Sequence, residues 1–146
     1  MKFYKLMKNS LAAILLMLAF ALPGKAQQPN LTPEQKEKQM YEAIDKEVER
    51  LTTLLKLDEA QQFYVTMTLT DCFLGLQADF EELKKSGVQN VDLYIVIQDK
   101  WMDKQDNDFK SYFTPEQWKR YLKSGAEKAM KAREKRREKA EGITEN

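Results

Sequence analysis

Leu57-Asp58-Glu59-Ala60-Gln61 and Phe113-Thr114-Pro115-Glu116-Gln117 are two copies of one short segment, and Leu31-Thr32-Pro33-Glu34-Gln35 is a third. Each copy reads as a helix start. Thr32, Asp58 and Thr114 each offer a side-chain oxygen to the free amides of a first helical turn. Gln35, Gln61 and Gln117, three residues on, can reach back to the cap's own N–H. Proline follows the cap in two copies, at the helical position where a missing N–H costs nothing. The caps stand 26 and 56 residues apart, and the longer interval has room for two helices. The segment therefore punctuates the chain and does not mark an internal repeat.

Working outward from these starts, the first helix is expected from Pro33 to about Leu55, with Met40, Ile44, Val48, Leu51 and Leu55 on one stripe. The second should run from Asp58 to about Ser86 and stop at Gly87, with Lys84 and Lys85 in its last turn. It carries two apolar stripes, Phe63, Met67 and Leu74 on one and Val65, Leu69, Phe73, Leu76, Phe80 and Leu83 on the other. One neighbour cannot cover both, so this helix must meet its own chain and something else. Asn90 caps a third helix of about Val91 to Tyr112, with Tyr94, Ile97, Trp101, Phe109 and Tyr112 along its seam. A fourth begins at Pro115, where Phe113 and Trp118 stand at hydrophobic-staple positions, and its apolar face includes Tyr121, Leu122, Ala126, Ala129 and Met130. With no period-two alternation between turns, the expected class is all-α with four helices.

The expected organisation is a secretory signal over residues 1–26, a lead-in over 27–32, a helical domain over 33–130 and a charged, fraying tail over 131–146. Lys2, Lys5 and Lys8 precede the uncharged run from Leu11 to Leu22, and Gly24-Lys25-Ala26 offers a small-x-small cleavage site. The apolar run is too short to span a bilayer comfortably, which disfavours a lasting membrane anchor. Cleavage after Ala26 would remove four lysines and no acids. That leaves 20 basic against 23 acidic residues, a net charge of −3 that disfavours bulk nucleic-acid binding. Cys72 has no partner in the chain and lies among apolar neighbours, so it is either buried and inert or paired with another molecule.

The chain has no histidine, the commonest general base and transition-metal ligand. Asp99, Asp103 and Asp106 share a face of the third helix with Asp108 nearby, but no calcium-hand loop accompanies them, and the face reads as solvated. Phosphate-loop, nucleophile-elbow and Cys-x-x-Cys patterns are absent, so no catalytic residue, cofactor or metal is expected. The tail's Lys128, Lys131, Arg133, Lys135, Arg136, Arg137 and Lys139 alternate with Glu134 and Glu138, the pattern of an exposed helix with internal ion pairs.

Over about residues 50–125 the chain resembles the Spy/CpxP family of periplasmic chaperones, whose motif is Leu-Thr-x-x-Gln. Leu55 to Gln61 resembles the first motif with Asp58 in place of Thr, and Phe113 to Leu122 the second with Phe113 in place of Leu. The resemblance implies a periplasmic, ATP-independent chaperone whose long helices form an elongated, bent helical hairpin and a cradle-like homodimer holding unfolded or partly folded envelope proteins. Val65, Leu69, Phe73, Leu76 and Phe80 are then the expected client or dimer contacts. The alternative is a regulatory adaptor docking on an envelope stress sensor or another fixed partner.

Overall fold

The computed structural model describes residues 30–144; the expected secretory signal and the start of the lead-in lie outside them. All three anticipated starts form closed capping boxes. Gln35 N donates to Thr32 Oγ1 at 3.2 Å, Gln61 N to Asp58 Oδ1 at 2.8 Å and Gln117 N to Thr114 Oγ1 at 3.2 Å. Each glutamine Oε1 accepts in return from the amide of its cap residue. The helices that follow are α1 (Pro33–Leu55), α2 (Glu59–Lys85), α3 (Val91–Tyr112) and a fourth in two arms, α4 (Pro115–Tyr121) and α5 (Glu127–Thr144). A widened turn over Leu122–Ala126 joins the two arms. No strand occurs among the described residues.

The helix ends follow from local chemistry as well. At the end of α2, Val88 N donates to Leu83 O and Gly87 N to Lys84 O, both at 3.0 Å, with Gly87 at φ 72°. These are the paired bonds of a Schellman stop, and Leu83 and Val88 pack beside one cluster as its usual apolar contact. At the end of α1 the left-handed position falls to Lys56, at φ 55°, the one non-glycine residue with positive φ among the described residues. Its amide and that of Leu57 both return to Thr52 O.

Burial divides the molecule into two clusters. Met40, Ile44, Leu51 and Leu55 of α1 meet Val65 and Leu69 of α2, Phe109 of α3, Tyr121 of α4 and the junction residues Leu57 and Phe113. Further along the α2–α3 hairpin, Leu76, Phe80 and Tyr94 form the second cluster, with Trp101 and Ile97 against it. The hairpin closes around Gly75, where the Trp101 indole lies so near the α2 backbone that a methyl group at Gly75 would run into it. Trp101 Nε1 is fixed there by a 2.8 Å hydrogen bond to Asp79 Oδ2.

The charged tail does not fray as expected. α5 continues to Thr144, and Arg133 is buried. The aspartate face of α3 is likewise not simply solvated, since Asp99 and Asp106 are buried. The cause is shared: α5 turns back along α3, and its arginines meet those carboxylates. The helical unit thus extends beyond the boundary expected at residue 130.

Two substitutions test this account of the fold. Gly75→Ala should cost about 1–3 kcal/mol through overpacking against Trp101, whereas Lys56→Gly should add about 1 kcal/mol by relieving the left-handed strain; urea unfolding followed by circular dichroism measures both.

Candidate functional site

Residues expected to face partners lie instead in the core. Val65, Leu69, Leu76 and Phe80 are buried, and Phe73 packs against the larger cluster. The other stripe is the exposed one, with Phe63 at 60% and Met67 and Leu74 each at 47%. Burial favours the stripe with more apolar area, because each large side chain removed from water contributes ~1.5–3 kcal/mol. The core therefore took the longer stripe and left the shorter one outside.

The outer face of α2 is built by helical geometry. At 100° per residue, Phe63, Met67 and Leu74 lie roughly opposite Val65, Leu69 and Leu76, and they span about 16 Å of helix. Ala60, Thr70 and Ala78 share or flank this strip, and the exposed Asp71, one turn from both Met67 and Leu74, borders it. Tyr64 flanks it, partly exposed and stacked on Tyr112 of α3 with ring centroids 5.0 Å apart. Leu93 and Val96 add exposed apolar groups on α3. The face is a ridge of large side chains on a rigid helix. Thr66 and Thr70 back-bond to the carbonyls of Gln62 and Thr66 at 2.8 Å, so these hydroxyls are satisfied within the helix.

Beneath one end of this ridge lies a junction that capping chemistry alone did not reveal. Gln61 and Gln117 bond to each other reciprocally, Gln61 Nε2 to Gln117 Oε1 at 2.7 Å and Gln117 Nε2 to Gln61 Oε1 at 3.0 Å. Their remaining amide hydrogens go to the ends of other helices, from Gln61 to Tyr112 O at 3.0 Å and from Gln117 to Leu55 O at 3.2 Å. Each side chain thus caps its own helix start, bonds its counterpart and satisfies the last carbonyl of a neighbouring helix. Thr32 and Gln35 make their box without such a connection and remain exposed. The signal in the sequence was the repetition of the motif itself, though nothing in it stated that two copies touch.

A third arrangement is electrostatic. Arg136 bonds Asp99 through two contacts of 2.8 Å, Arg133 reaches Asp103 at 2.7 Å and also Asp106, and Arg137 reaches Asp103. Tyr121 donates to Asp106 at 2.6 Å. Burial pushes the Asp106 carboxyl up, against the opposing pull of Tyr121 and Arg133, and burial beside Asp106 raises the Tyr121 phenol well above its ordinary value. Arginines at 133, 136 and 137 and aspartates at 99, 103 and 106 each occupy one helical face, a match that could have been read from their spacing. Cys72 is buried, and desolvation pushes its thiol up to about 11, which keeps it protonated and unreactive.

Among the described residues no cluster of acidic or cysteine side chains is arranged to hold a metal ion, and no helix is long and apolar enough to cross a membrane. Fold and face together define an all-helical protein with an exposed apolar ridge. Compared with known family models, curated proteins and solved structures, the chain matches none.

Removing either junction glutamine should cost about 2 kcal/mol. The double variant Gln61→Ala/Gln117→Ala should cost about 1 kcal/mol less than the sum, because the second loss finds its partner already gone; urea unfolding of the four proteins closes the cycle. A second expectation concerns pH. The folded state holds the Asp106 proton more tightly than the unfolded chain does, so ionising this carboxyl lowers stability as pH rises from the ordinary carboxylate range through the raised folded value. Relative to Asp106→Asn, the parent protein should therefore gain stability as pH falls through that window, as read by urea midpoints across the acid range.

Proposed function

We propose that the protein is an exported, chaperone-like holding factor that binds apolar segments of partly unfolded proteins on the outer face of α2. The observation that carries this reading is the exposed apolar ridge of Phe63, Met67 and Leu74, bordered by Asp71. A ridge without a shaped pocket contributes apolar area without dictating which sequence supplies the other half. Its three side chains are already half-exposed on a rigid helix, so binding requires little ordering on the protein's side. Full burial would be worth ~1.5–3 kcal/mol for each. Set against the cost of association, this supports weak, reversible holding. No turnover is needed.

The resemblance to the Spy/CpxP family supports the same reading through the motif glutamines and implies a periplasmic setting and a cradle-like homodimer. In this proposal the residues that hold clients are Phe63, Met67 and Leu74. Val65, Leu69, Leu76 and Phe80 instead support the helix from the core side.

The test is suppression of light scattering by a thermally aggregating client. The parent protein in excess should suppress it, and Phe63→Ser/Met67→Ser/Leu74→Ser should lose most of that effect while keeping its helical content and melting temperature. Absence of suppression by the parent, or full suppression by the triple variant, would count against the proposal.

A further inference from the structure

α5 is held differently from every other helix. None of its residues belongs to either apolar cluster, and its one buried side chain among those described is the guanidinium-bearing Arg133. Its ties to α3 are ionic, through Arg133, Arg136 and Arg137 to Asp99, Asp103 and Asp106. Arg136 and Arg137 are about half exposed, so solvent and salt reach their pairs directly, whereas Arg133 and Asp106 form a buried pair that salt reaches only after the outer pairs part.

The turn before α5 supplies a hinge. Gly125 stands at φ 113°, ψ −10°, inside the widened turn over Leu122–Ala126, a backbone conformation that a residue with a Cβ adopts only under strain. Tyr121, on the near side of the turn, stays anchored in the larger cluster and on Asp106. Between α1, α3 and α5 runs a groove of about 460 Å³, with Ile95, Met102 and Ala129 among its apolar lining and Gln98 and Gln105 among its polar groups.

We propose that α5 is a strap, latched to α3 by charge and hinged at Gly125, that swings out as an intact helix when its arginine–aspartate pairs are screened and opens the groove along α3. Ion pairs and apolar packing respond to salt in opposite ways. Raising salt from about 10 mM to about 1 M shortens the screening length from ~30 Å to ~3 Å, which weakens charge pairs and leaves apolar burial intact. Released arginines and aspartates regain their hydration, which offsets much of the lost Coulomb attraction. A helix docked by side-chain charge can therefore leave without disturbing the two cores. The proposal is independent of what the outer face of α2 binds.

Electron-electron distance measurement between spin labels tests it in the full chain, with exposed Asn107→Cys on α3 and Lys135→Cys on α5 labelled and buried Cys72→Ala left silent. At low salt one narrow, short distribution is expected; at high salt a longer population should appear with no loss of far-ultraviolet circular dichroism. Arg133→Gln/Arg136→Gln/Arg137→Gln should show the longer population at low salt. Asp99→Arg should also lengthen the distance, and adding Arg136→Asp should restore the short one by reversing the pair. The salt titration of the labelled parent stands by itself if a variant fails to fold. A distribution that salt does not move, or a longer population that appears only as helical signal is lost, overturns the proposal.

Discussion

A primary amide carries two donors and two acceptor sites, and in Gln61 and Gln117 every one is used. Each oxygen takes the cap amide of its own helix and one hydrogen of the opposite glutamine, while each nitrogen gives its other hydrogen to a terminal carbonyl of α1 or α3. Four helix termini meet at this point. Leu57 and Phe113, the apolar residues just before the caps, are buried beside it and link the polar junction to the larger core. The angle at which α1 enters α2, and α3 enters α4, is thereby set relative to the other. Half-satisfied, the same pair would leave half-buried amide groups without partners, so the junction favours one arrangement.

With the junction placing α1 across one side of the α2–α3 hairpin, the two stripes of α2 acquire different fates. The stripe containing Val65, Leu69 and Leu76 turns inward, and the one containing Phe63, Met67 and Leu74 is left on the far side of the helix. Gly75 and Trp101 bring α3 close enough that α2 is braced along its length. The exposed ridge is consequently carried by a helix whose opposite side is packed, a rigid platform for apolar contact.

The fourth helix combines two kinds of attachment. α4 is anchored by Tyr121 in a ring of aromatic contacts with Phe109, Phe113 and Trp118, centroids 5.4–5.7 Å apart. α5, beyond Gly125, relies on arginine. Its mostly polar surface explains why apolar periodicity fades after Met130 although the helix does not. Charge complementarity replaces burial as the reason for its position.

The capped helix starts, the stops of the first three helices and the all-α class were legible in the amino-acid sequence because capping and the Gly87 stop depend on residues within one or two turns of each other. That α2 had more apolar surface than one neighbour could cover was also legible, from the wheel alone. The greater apolar area of the stripe holding Val65, Leu69 and Leu76 favoured the inward side, but the helical period admits both stripes, and packing by α1, α3 and α4 decided between them. The spacing of the α5 arginines and the α3 aspartates showed two complementary faces, but that these faces meet, and that Gln61 meets Gln117, was beyond local reading. Each partner is individually compatible with solvent, and only the long-range path of the chain brings the complementary groups together. Sequence by itself determined where the capped helices begin and where the first three end; tertiary structure decided how far the fourth runs and which faces meet, because burial and charge pairing are properties of neighbours far apart along the chain.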